Sequence, residues 1–117
     1  MNPIPTAGPA RDLEIAAILG VDRTEGIAID LDLPEGAIAA FSTNRGACDA
    51  LVSALKGLGY GLQPTAADYR TYERGRGEIL SASFVRPARE GGPSPRAIGQ
   101  NYCDAVSAAA LLALREL

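Results

Sequence analysis

Ala105-Val-Ser-Ala-Ala-Ala-Leu-Leu-Ala-Leu114 is apolar nearly all round, and it closes a helical pattern that opens at Ser94-Pro-Arg-Ala-Ile98. A helix that is apolar on every side must be covered on every side, and one sheet covers only one face. Either another helix of the same chain supplies the remaining cover or a second copy does, most commonly as a symmetric homodimer. A homodimer or higher homo-oligomer is the expectation, with Val106, Ala110, Leu111 and Leu114 as its candidate interface. Ser94 reads as the N-cap with Pro95 at the first helical position, which predicts a helix over 95–116, ~30 Å long. Up to Asp104 that helix is amphipathic, with Ile98, Tyr102 and Ala105 on one face and Arg96, Gln100 and Asp104 turned to water.

Two more helices precede it. In Asp12-Leu-Glu-Ile-Ala-Ala-Ile-Leu-Gly20 the acidic residues suit a positive helix start and Gly20 is the expected stop, so a helix is predicted over 11–19. Phe41-Ser-Thr-Asn-Arg-Gly-Ala-Cys-Asp49 begins the other, over 44–58, with Ser42 or Thr43 as N-cap. Its apolar stripe is Ala47, Cys48, Leu51, Val52, Leu55 and Leu58, and the glycines 57, 59 and 61 force a turn after it.

Between and after these helices the chain reads as extended. Ile27-Ala-Ile-Asp-Leu-Asp-Leu33 alternates, which predicts a strand with Ile27, Ile29, Leu31 and Leu33 on one face and Asp30 and Asp32 on the other. Strands are also predicted over 68–74 and 78–86, joined by the Gly75-Arg76-Gly77 turn. In the latter, Leu80, Ala82 and Phe84 oppose Ile79, Ser81, Ser83 and Val85, so both faces are at least partly covered. Residues 1–10, with three prolines, read as a flexible arm before a single α/β domain over 11–117. The fold class is α/β, a small and mostly antiparallel sheet with three helices.

Composition narrows the function. The 117 residues suffice for one core, and only 5% are aromatic, with no Trp. A net charge of -3 argues against bulk binding of nucleic acid, which depends on neutralising phosphates. There is no His, so the commonest general base and transition-metal ligand are missing. Cys48 and Cys103 lack C-x-x-C spacing and read as buried reduced thiols. With no signal peptide and no apolar run near the ~20 residues that span a bilayer, the expected location is the cytoplasm.

Two loops carry the candidate chemistry. Ser42-Thr-Asn-Arg-Gly46 and Gly91-Gly-Pro-Ser-Pro-Arg96 each set backbone N–H groups at a positive helix end beside a hydroxyl and an arginine. That combination suits phosphate or carboxylate, although ordinary capping accounts for the hydroxyls as well. If both loops open on one edge, Ser42, Thr43, Asn44, Arg45, Ser94 and Arg96 would grip a nucleotide-like ligand, with Arg86 and Tyr102 as neighbours.

Other stretches carry less. Arg74-Gly-Arg-Gly77 with Tyr69 and Tyr72 could stack a base, but a solvated hairpin tip explains it. Asp30, Asp32 and Glu35 could share a hard cation, but without EF-hand spacing they read as a solvated strand face. Gly57-Leu-Gly-Tyr-Gly61 ends a helix where a dinucleotide fingerprint would open one. No catalytic residue, metal site or cofactor is assigned.

Taken in order, Asp12-Leu-Glu-Ile-Ala-Ala-Ile-Leu-Gly20, Phe41-Ser-Thr-Asn44 with its Ala-containing helix, and Pro95-Arg-Ala-Ile98 leading to Ala-Ala-Leu-Leu-Ala-Leu114 resemble the phage ABA sandwich domain family. They are also similar to the NinX-like small phage proteins. The resemblance spans about residues 11–114. The chain departs from the pattern after Gly20, where the connection is short, and at Gly99 to Cys103, where the last helix is longer. The resemblance implies a three-layer α/β/α sandwich carried by phages or prophages and no assigned reaction. By analogy it implies a non-enzymatic accessory factor, of the kind that blunts host defence by sequestering a nucleotide signal. A protein-interaction module using the apolar last helix, with a host protein as partner, is the second class, and a metal-dependent hydrolase or phosphodiesterase using Asp30 and Asp32 is the third.

Overall fold

The computed structural model describes residues 3–64, 80–85, 97–99 and 101–116. Among them are four helices, α1 (Pro9–Leu19), α2 (Val21–Asp30), α3 (Arg45–Gly57) and α4 (Tyr102–Leu114), and three strands, β1 (Gly61–Pro64), β2 (Leu80–Val85) and β3 (Ala97–Gly99). The strands form one antiparallel sheet in the order β1-β2-β3, with Leu62 opposite Phe84 and Ser81 opposite Ile98.

α4 is the centre of the molecule. It packs against β2 and β3 and also against α1 and α3. Nine of its residues are buried, Ala105, Ala109, Ala110, Leu111 and Ala113 completely. Small side chains allow this, because alanines let the sheet and two helices approach one helix from several directions. Gly99 shows how close the approach is. A Cβ built there would fall on the backbone of Ala105, with Ala105 Cα only 2.7 Å away.

Several sequence expectations are corrected. The alternating stretch at 27–33 is not a strand, since its first half belongs to α2. Ile27 is 8% exposed and Ile29 77% exposed. Two residues apart they would share a strand face, whereas on a helix they point in nearly opposite directions. Thr24 holds this helix against the first by donating its hydroxyl to the carbonyls of Gly20 (2.8 Å) and Ala16 (3.2 Å). Gly20 serves both helices, closing α1 and opening α2 with a φ of 91° that suits glycine.

The last helix begins at Tyr102, not at residue 95, because Ala97–Gly99 pairs with β2 as a strand. The candidate interface is corrected with it. Val106, Ala110, Leu111 and Leu114 are at most 1% exposed within one chain, so the chain itself covers the helix and that argument for a second copy lapses. Within the predicted strand over 78–86, residues 80–85 form β2 and the others lie outside the described residues, as do the predicted strand over 68–74 and the Gly75-Arg76-Gly77 turn. Within the stretch read as a flexible arm, Ile4 packs on the core, the Pro5 carbonyl accepts from Arg11 Nε at 2.8 Å, and α1 already begins at Pro9.

Candidate functional site

The starts of α3 and α4 lie side by side. Each uses the same local device, an asparagine in extended conformation that caps the first turn. Asn44 Oδ1 accepts from the Ala47 N–H at 3.0 Å, and Asn101 Oδ1 accepts from the Asp104 N–H at 2.9 Å. Asparagine is among the best N-caps because its short side chain reaches the third residue of the helix. Immediately inside the caps, Arg45 and Tyr102 meet, the guanidinium carbon standing 3.7 Å from the ring centroid. Such a cation on an aromatic face contributes ~0.5–1 kcal/mol at an exposed site.

Arg45 also reaches Asp49, one turn on, at 3.1 Å. That hydrogen bond holds the guanidinium more firmly protonated than usual. Both side chains are more than half exposed, so the pair is worth only ~0.3–0.5 kcal/mol and a competing anion could displace the carboxylate. The Arg45 and Gly46 N–H groups have no acceptor among the described residues. They belong to the first turn of a helix, where the peptide dipoles leave partial positive charge.

The expected ligand-binding residues separate into three groups. Asn44, Arg45 and Tyr102 come together as described, and Thr43 is exposed next to them. Ser42 does not face the opening. It is 1% exposed, its hydroxyl donating to Asp12 Oδ1 at 2.7 Å and accepting from the Gly8 N–H at 2.8 Å, while its own N–H donates to the same carboxylate oxygen. Ser42 therefore anchors the start of α1, and Asn44 takes the capping role expected of Ser42 or Thr43. Arg86, Ser94 and Arg96 lie outside the described residues.

Sequence reasoning missed the polar support beneath the site. Arg11, 5% exposed, donates to Asp104 Oδ1 (2.7 Å), the Asp104 carbonyl (2.9 Å) and Ser107 Oγ (3.0 Å). It thereby fixes α1 to the first turn of α4. The only sequence signal was an arginine and an aspartate adjoining a strongly apolar helix, which reads as surface until the fold is known.

The metal alternative loses its geometric premise. Asp30 ends α2, and Asp32 sits in a turn with φ 55°, so the two do not project from one strand face. No group of three or more metal-ligating side chains occurs among the described residues. Elsewhere, α1, α2 and the loop at 36–38 enclose an apolar groove of about 410 Å³ lined by Leu13, Ala17, Val21, Ala28 and Ile38. No helix among the described residues is long and apolar enough to cross a membrane.

In comparisons with known proteins, no family model, no curated protein and no solved structure matches this chain.

Proposed function

We propose that this is a non-enzymatic binding protein that takes a small anionic, nucleotide-like ligand at the joined starts of α3 and α4. The observation that carries the reading is the Arg45–Tyr102 stack at 3.7 Å, which brings a cation, an aromatic ring and the first-turn amides of Arg45 and Gly46 to one place. Guanidinium and first-turn N–H groups suit phosphate oxygens, and the tyrosine edge offers a surface for a base. The accessory role in a phage or prophage, including sequestration of a host signal, belongs to this proposal through the sequence resemblance alone. The three-layer sandwich is also part of the proposal, and burial on both sides of β2 supports it: Phe84 is fully buried and Ser83, facing the opposite way, is 5% exposed.

The test is titration of isotope-labelled protein with nucleoside mono- and diphosphates. Shifts are expected at the Arg45, Gly46 and Cys103 amides, with at least a tenfold loss of affinity in Arg45→Ala. Unchanged spectra at millimolar nucleotide, or binding that Arg45→Ala leaves intact, would refute the reading.

A second reading has its own observation. The interaction-module alternative moves from the buried α4 to the apolar groove, where Leu13, Val21 and Ile38 are 57%, 71% and 41% exposed. Exposed apolar surface of this kind commonly marks a partner's footprint.

A further inference from the structure

The two cysteines, 55 positions apart in sequence, are brought together by the same pairing of helix starts. Cys48 lies one turn into α3 from Arg45, and Cys103 follows Tyr102 at the start of α4; the Arg45–Tyr102 stack joins the two helix starts, and a side-chain hydrogen bond links the two thiols. Both are free thiols, and they differ in access: Cys48 is fully buried and Cys103 is partly exposed.

We propose that Cys103 and Cys48 form an oxidisable dithiol in which Cys103 reacts first with a hydroperoxide and Cys48 resolves the product into a disulfide that staples α3 to α4. In the first step the Cys103 thiolate attacks one oxygen of hydrogen peroxide. The O–O bond breaks, Cys103 becomes a sulfenic acid, and hydroxide leaves to be protonated to water. In the second step the Cys48 sulfur attacks the sulfenic sulfur. The S–O bond breaks, the S–S bond forms, and the second water departs with the proton from Cys48. Two thiols and one peroxide thus give one disulfide and two waters.

The order of roles follows from the surroundings. Burial, with the neighbouring Cys103, pushes the Cys48 thiol up to about 12, so it stays protonated and is kept from solvent. Burial, with Asp49 adding to it, also raises Cys103, and the Cys48 thiol and the Arg45 guanidinium offset this only in part. Access sets the order: the partly exposed Cys103 meets the oxidant, and the buried Cys48 beside it resolves the product. Because neither thiol has a depressed pKa, oxidation should be slow, over minutes to hours, and suited to sustained oxidative exposure. This inference does not rest on ligand binding at the same helix starts.

Treatment of the full chain with hydrogen peroxide, followed by digestion without reductant and mass spectrometry, tests it. The expected product is a Cys48–Cys103 linked peptide, with the intact monomer lighter by two hydrogens and a higher Tm that reductant reverses. In Cys48→Ala a sulfenic-acid trap should label Cys103, while in Cys103→Ala the Cys48 thiol should stay reduced. Peroxide that leaves both thiols intact in the folded wild-type chain, or that links Cys103 only to a second chain, would overturn the proposal. So would oxidation of Cys48 at an undiminished rate in Cys103→Ala.

Discussion

At Gly99 a single hydrogen atom decides whether β3 and α4 can touch. The residue has no need of a left-handed backbone; it is glycine because its missing side chain is where the Ala105 backbone passes. Gly99→Ala must separate the strand from the helix, and overpacking of this kind costs ~1–3 kcal/mol. Chemical denaturation should show that loss, whereas alanine at Gly26, where the added Cβ meets nothing, should be neutral or stabilising. The same scale shows what sequence could and could not reveal. Asn44 and Arg45 were legible as members of a helix start because helix-start residues announce themselves by type. Ser42 looked equivalent, yet its partner Asp12 is 30 positions away, and only the fold reveals that its hydroxyl is already engaged.

At the scale of elements, α1 and α4 are joined by two ion pairs, Arg11 with Asp104 and Glu14 with Arg115. The second is bidentate, Arg115 reaching both Glu14 carboxylate oxygens at 2.6 and 2.9 Å. That hydrogen bonding holds the Glu14 carboxyl below its ordinary value of 4.5. A carboxyl lowered on folding stabilises the native state above its unfolded value and loses that contribution as pH falls through the folded value. Thermal melts from pH 6 to pH 3 should therefore show wild type losing up to ~1 kcal/mol more than Glu14→Gln, a ceiling set by the pair's partial exposure. Helices α1, α3 and α4 were readable from apolar spacing, although the start of α4 was placed too early because Ser94-Pro95 is a good helix opening in isolation. Pairing with β2 overrides it. α2 was misread because four alternating residues satisfy a strand as well as they satisfy a helix with one buried position.

For the whole molecule, the burial of the apolar second half of α4 by its own chain removes the sequence-based reason for self-association. Leu111→Ala is expected to cost ~2–5 kcal/mol by opening a cavity, without altering the mass measured by light scattering, which should be that of one chain. A dimer in wild type that persists in Leu111→Ala would place the contact elsewhere, with the α1–α2 groove the first surface to examine. The burial of α4 was legible in its composition; what covered it was not, because periodicity reports that a face is apolar and never names its neighbour. The position of α4 in the order of synthesis has a consequence for biogenesis. α1, α3 and the strands β2 and β3 all close against the segment translated last among them, so their contacts with it cannot form until it has left the ribosome. Until that segment has emerged, the apolar faces it covers stay open to water, and that interval is when the nascent polypeptide most needs chaperone protection.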